Sequence, residues 1–127
     1  MKLIDTHCHI HDTEFYSDEQ SEEAYRQALD VGVSPLIVVG TDERSSAEAV
    51  DFALSHPGCF AAVGIHPHDA KTADVSKIRN LLERFVKRVD SHSVIVGIGE
   101  IGLDYHYNNS PKEDQIRVFR EQLELAR

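Results

Sequence analysis

Two histidines flank a cysteine where the first apolar run ends, in Asp5-Thr6-His7-Cys8-His9. Side chains on an extended backbone repeat every second residue, so Asp5, His7 and His9 share one face. Two imidazoles on one face are half of a metal site, and Asp5 can orient an imidazole or accept a hydrogen bond behind it. A candidate third ligand is Glu100, which follows Val96-Gly97-Ile98-Gly99 and precedes Ile101-Gly102. A carboxylate in such an apolar stretch is costly unless paired or bound to a cation, and the glycines beside it permit close backbone approach and unusual dihedrals. His66, in Gly64-Ile65-His66-Pro67-His68, is a candidate site contact; the alternative is a loop histidine bonded to backbone. His68 stands between the same two readings, and Asp104 either backs the site or fixes its loop. Two imidazoles and a carboxylate with open positions suit Zn²⁺, Mn²⁺, Fe²⁺ or Co²⁺, whereas Mg²⁺ alone favours fewer nitrogens. The sequence has no Gly-rich phosphate loop, nucleophile elbow or Cys-x-x-Cys pair. Metal-assisted hydrolysis is the chemistry that these residue types suit.

The elements that must position them form four units, each an apolar run followed by an amphipathic stretch. The runs are Lys2 to Cys8, Ser34 to Val39, Phe60 to Ile65 and Val94 to Ile98. The helices are expected over about Asp18 to Val31, Glu43 to Ser55, Val75 to Val89, and from Pro111 onward. Ile78, Leu81, Leu82, Phe85 and Val89 make an apolar stripe at helical spacing, as do Ile116, Phe119, Leu123 and Ala126. Ser110-Pro111-Lys112-Glu113 reads as an N-cap, a proline at the first helical position and a capping box, and Gly32 as the stop of the first helix. A repeat of about 30 residues is the size of a βα unit in a parallel sheet.

The reactive residues cluster after the runs. His7 and His9 follow the first, Thr41 and Asp42 the second, His66, His68 and Asp69 the third, and Glu100, Asp104 and His106 the fourth. Parallel strands put all these positions on one rim, where α/β folds build their sites. His56 and His92 fall on the opposite rim, and the acidic run at Asp18-Glu19 and Glu22-Glu23 reads as a solvated helix start.

The 127 residues, 41% hydrophobic and 28% charged, suit one modest soluble domain spanning 1–127. A net charge of −9 speaks against a broad basic grip on nucleic acid but not against a phosphate held by cations. Cys8 and Cys59 lie in apolar runs, the setting of buried free thiols, in keeping with a reducing cytoplasm. No apolar run reaches the about 20 residues of a membrane span, and the start lacks a signal-peptide h-region.

The segments Asp5-Thr6-His7-Cys8-His9, Gly64-Ile65-His66-Pro67-His68 and Gly99-Glu100-Ile101-Gly102-Leu103-Asp104-Tyr105, in this order and spacing, closely resemble the TatD family of metal-dependent deoxyribonucleases, a branch of the amidohydrolase-like TIM barrels. Gln115 and Phe119 match a further pattern of that family. The resemblance implies metal ligation by His7, His9 and Glu100, with Glu100 also catalytic and shared between two divalent cations, and phosphate contact by His66. It implies hydrolysis of DNA phosphodiester bonds with a metal-activated water. It also implies that these are the first four βα units of a (β/α)8 barrel, the N-terminal half of one domain, since two further histidines and an aspartate of the family follow later strands. Two other readings are a non-catalytic half that folds or associates, and another amidohydrolase-like hydrolase acting on amides or lactones. An uncovered inner face predicts self-association, with a two-fold pseudo-barrel placing Glu100 of one subunit near His7 and His9 of the other.

Overall fold

A computed structural model describes residues 3–85 and 93–127. Its strands are β1 (Leu3–Cys8), β2 (Val33–Val39), β3 (Cys59–Val63) and β4 (Ile95–Ile98), and its helices are α1 (Asp18–Asp30), α2 (Glu43–Ser55), α3 (Val75–Phe85) and α4 (Lys112–Ala126). The strands form one parallel sheet in the order β1-β2-β3-β4. This is the parallel α/β sheet expected from the repeat, and the order of four βα units that the resemblance implies. Val89 and His92, assigned above to a helical stripe and to the opposite rim, lie outside the described residues.

Alternation along the strands sorts the two faces of the sheet. Leu36, Val38, Cys59, Ala61, Val63 and Ile95 are buried with Ala49, Val50 and Ala53 of α2, Ile78 of α3 and Val118 of α4. Leu81, Leu82 and Phe85 pack partly buried against that core, as the α3 stripe predicted. Residues between them in sequence are half-buried or open, with Ile4 58% and Val96 52% exposed on the two edge strands.

The ends of α1 and α2 follow local rules. Ser17 and Gln20 form a capping box on α1, and Asp42 and Ser45 one on α2. Gly32 follows α1 at φ +82°, a left-handed stop. His56 caps α2, bonding the Phe52 carbonyl through Nδ1 (2.8 Å) and Glu22 through Nε2 (2.8 Å). Glu22 of the acidic run therefore has a partner across the fold rather than solvent alone. Pro67 opens a 3-10 helix, Pro67–Thr72.

α4 differs from expectation in two ways. Its buried face is Gln115, Val118 and Gln122, one residue round from the stripe of Ile116, Phe119, Leu123 and Ala126; Leu123 is 42% exposed. The reason is that both glutamines are hydrogen-bonded on both amide atoms. Gln122 accepts from the Ile65 N–H (2.7 Å) and donates to the Ile65 carbonyl (3.0 Å). Gln115 accepts from Asp104 N–H (2.8 Å) and donates to the Asp104 and Ser110 carbonyls. A satisfied buried amide carries no desolvation penalty to expel it. Second, Ser110 is not a helix cap: α4 begins after Pro111 with no side-chain cap. The Ser110 hydroxyl instead donates to the His68 carbonyl (2.6 Å) and accepts from Lys71 N–H (3.1 Å), tying α4 to the segment carrying His66 and His68.

Both cysteines are free. Burial pushes the Cys59 thiol up to about 12, and burial, then Asp5, pushes Cys8 up to about 11. Since the thiolate is the reactive form, both are expected to resist a thiol-disulfide reagent at pH 8 in the native state and to label fully after denaturation. Rapid native labelling of Cys59 would contradict the packing described.

Candidate metal centre

Hydrogen bonds between strand ends bring the expected residues to one rim. The carbonyl of Gly40, just past β2, accepts from Glu100 N–H (3.0 Å), while Gly40 N–H donates to the Ala62 carbonyl (2.9 Å). Thr41 carbonyl accepts from His66 N–H (2.7 Å), and Val63 carbonyl from Gly99 N–H (3.0 Å). The backbone beside Glu100 does approach closely, but the glycines that make the room are Gly40 and Gly64. A Cβ on Gly40 would stand 2.4 Å from Ser46 Cα, and one on Gly64 2.8 Å from the Gly99 carbonyl carbon, whereas Gly99 and Gly102 have nothing within 4 Å. Gly102 does adopt the expected unusual dihedral, at φ +151°.

His7, His9 and Glu100 meet. His7 Nε2 lies 3.1 Å from His9 Nε2 and 3.3 Å from Glu100 Oε2. One donor atom from each of the three lies within 4.8 Å of the others, the one such group of His, Cys, Asp or Glu among the described residues. His9 Nδ1 lies 2.7 Å from the Val39 carbonyl, an acceptor only. Nδ1 must therefore carry the proton, leaving the Nε2 lone pair of the neutral ring aimed at His7 and Glu100. Two imidazole nitrogens and a carboxylate converging in this way fit a divalent cation of the Zn²⁺, Mn²⁺ or Co²⁺ kind. Of the two roles open to Asp5 it takes the acceptor's: its carboxylate accepts from the His7 main-chain N–H (3.0 Å) and holds the backbone rather than the ring. Glu100 reaches His7 and His9 of its own chain, so the pairing of these groups across two subunits is not what assembles the trio.

His66 Nε2 lies 3.6 Å from Glu100 Oε1, and its Nδ1 accepts from His68 N–H (3.2 Å). A neutral His66 ring thus presents Nε2–H toward the Glu100 side. Burial, opposed by Glu100, lowers its pKa. His68 pairs through Nε2 with the Asp104 carboxylate, whose Oδ1 also accepts from the His106 and Tyr107 N–H groups (2.9 and 3.1 Å). Asp104 therefore fixes its loop, and the His68 bond first, then these N–H bonds, hold its carboxyl below the usual range. The Thr41 contribution is its carbonyl, and Asp42 caps α2. Burial, then the Asp42 charge, pushes the Asp69 carboxyl up. His106 is exposed. The rim opens into a cleft of about 580 Å³ that includes His9, His66, His68, Asp69 and Glu100.

The sequence reading missed the next shell. Asp12, 4% exposed, takes Arg44 Nη2 at 3.0 Å and Glu14 N–H at 2.9 Å. Buried His11 lies 3.1 Å from the Ser45 carbonyl through Nε2. The succession His9-Ile10-His11-Asp12 was the available signal. Burial works against the Asp12 carboxylate, but the Glu14 N–H and Arg44 outweigh it, so its pKa falls below the usual range. A carboxyl so shifted stabilises the fold above the ordinary carboxylate range and loses that contribution as pH falls through its folded pKa. Asp12→Asn is expected to cost about 1 kcal/mol at pH 7, since Arg44 is partly exposed. The difference in melting temperature from the parent should close as pH falls below about 4; a gap that stays constant with pH would refute the Arg44 pairing.

A family model described as TatD related DNase matches residues 4–127. The chain is 34% identical over 125 residues to an uncharacterized metal-dependent hydrolase of Bacillus subtilis, covering 98% of this chain and 46% of that protein. It is 31% identical over 124 residues to the 3′-5′ ssDNA/RNA exonuclease TatD of Escherichia coli, covering 98% and 45%. Among solved structures, a TatD homologue from Escherichia coli K12 matches with a TM-score of 0.78 at 31% identity, covering 98% of this chain and 46% of that one. A TatD family hydrolase from Entamoeba histolytica matches with a TM-score of 0.79 at 22% identity, covering 98% and 46%, a likeness of fold. The chain spans about half the length of the curated relatives it matches.

Proposed function

This chain belongs to the family of TatD-related DNases, and from that premise we propose that its protein is a metal-dependent hydrolase that cuts phosphodiester bonds of DNA. The observation that carries this reading is the convergence of His7 Nε2, His9 Nε2 and Glu100 on one point of the rim. These three would hold a divalent cation. By the family resemblance Glu100 would also be shared between two cations and take a catalytic part; its Oε2 lies toward His7 and its Oε1 toward His66. A divalent cation bound there supplies charge neutralisation for a phosphodiester and lowers the pKa of water. Val39 holds the His9 proton at Nδ1 and so keeps Nε2 a ligand. His66 offers Nε2–H to a phosphate oxygen, and the His68–Asp104 pair braces the loop behind it. Because the Escherichia coli relative is named for single-stranded DNA and RNA, single strands are the proposed substrates.

The test is incubation of an end-labelled single-stranded DNA with the protein and Mg²⁺ or Mn²⁺. Expected is progressive shortening abolished by chelator and by Glu100→Gln. Turnover of amide or lactone substrates without nuclease activity would favour the other amidohydrolase-like reading. No bound cation and no cleavage would favour a non-catalytic half.

On this reading residues 1–127 are the N-terminal half of a single TatD-like domain acting in the cytoplasm. The free cysteines support that location, and among the described residues no helix is long and apolar enough to cross a membrane. Among the described residues β1 and β4 are the edge strands of the sheet, and their exposed Ile4 and Val96 support association with a second copy of this chain. Light scattering of the chain at micromolar concentration is expected to give a mass above the monomer; a strictly monomeric mass would rule association out.

A further inference from the structure

The loop between β1 and α1 presents two aromatic rings at the mouth of the cleft. Phe15 is 70% exposed and Tyr16 36% exposed, and both line the cavity that contains His9, His66 and Glu100. One exposed aromatic side chain is ordinary. Here the backbone beneath the pair is clamped. The Asp12 carbonyl accepts from the Phe15 and Tyr16 N–H groups (3.0 Å each), and the Asp12 carboxylate holds Glu14 N–H and Arg44. Thr13 bonds Glu48 through its N–H (3.2 Å) and hydroxyl (2.9 Å), and Ser17 with Gln20 closes the loop onto α1. By contrast, Tyr25 and Phe52 on the far side of the fold pack against His56. Phe15 stays largely in water on a fixed loop, next to a centre suited to phosphate. The acidic chain, at −9, offers little general attraction for a polyanion, so affinity for a strand must come from the bases as well.

We propose that Phe15 and Tyr16 form a stacking platform for unpaired nucleobases of the strand whose phosphate occupies the metal centre. The platform rests on the nuclease reading above and adds base recognition to it. Base–aromatic stacking needs exposed base faces and tolerates any base, so the ligand is single-stranded nucleic acid, DNA or RNA.

The test is fluorescence anisotropy in Mg²⁺ at low salt, with fluorescein-labelled phosphorothioate hexamers that resist cleavage: hexathymidylate, hexauridylate and an abasic hexamer. Phe15→Leu with Tyr16→Leu is expected to weaken binding of both base-bearing hexamers about tenfold to a hundredfold. Affinity for Mn²⁺ by calorimetry and the melting temperature should be unchanged. The abasic hexamer should bind parent and variant equally weakly, and Phe15→Trp should retain tight binding. Phe15→Leu alone covers the case in which the double variant loses stability. Equal binding of hexathymidylate by parent and variants, or of abasic and base-bearing hexamers by the parent, would overturn the platform and leave the nuclease reading standing. A parent that binds none of the hexamers would overturn both.

Discussion

Replacing His7 or His9 by alanine is expected to lower affinity for Zn²⁺ or Mn²⁺ by about two orders of magnitude or more, because removing a group that merely orients a ligand already costs 10–100-fold. Each histidine supplies one of three donors that lie within 4.8 Å of one another. The His9 substitution also leaves the Val39 carbonyl without its donor. Glu100→Gln is expected to act similarly, since it removes the charge while keeping the shape. Calorimetry with each cation gives the affinity, and the rise in melting temperature on adding metal should vanish in parallel. A His9→Ala protein with parental affinity would mean that the imidazoles face one another for another reason.

Gly40→Ala is expected to damage fold and site together. The added methyl would meet Ser46 at 2.4 Å from Cα and Oγ and 2.6 Å from N. Backbone cannot rotate away as a flexible side chain can. Ser46 is fully buried, and its hydroxyl both donates to the Gly64 carbonyl and accepts from the Gly64 N–H (3.0 Å each). Pushing α2 outward breaks that link. Moving residue 40 inward breaks its bonds to Ala62 and Glu100. Overpacking of this kind costs about 1–3 kcal/mol or more, a loss of roughly 10 °C in melting temperature for a domain of this size. Cation affinity should fall as Glu100 loses its anchor. Gly97→Ala is the control, with nothing within 4 Å of its Cβ. Equal melting temperatures and affinities for the two variants would contradict the strand-end contacts.

His7, His9 and Glu100 announce themselves because residue type, spacing and position after an apolar run all agree, and parallel strands then bring those positions together. The four βα units are legible for the same reason, since periodicity is a local signal. Gly40 carries no such signal: its importance depends on how closely α2 packs, which is a long-range fact. Gln115 and Gln122 mislead a hydrophobicity pattern because their partners, the Asp104 and Ile65 backbones, lie in other segments. Ser110 looks like a cap by its neighbours, but it is spent on His68 and Lys71. Asp12 is informative only once Arg44 is seen across from it. In each case a buried polar group is decided by a partner far away in sequence.

His7, His9 and Glu100 are proposed to bind a divalent cation. X-ray absorption at the zinc edge of the Zn²⁺-loaded protein tests it directly. Expected is a coordination shell containing nitrogen at about 2.0–2.1 Å with the outer-shell scattering of two imidazoles, falling to one in His9→Ala. A shell of oxygen alone, or a parental spectrum in the His9→Ala protein, would contradict it.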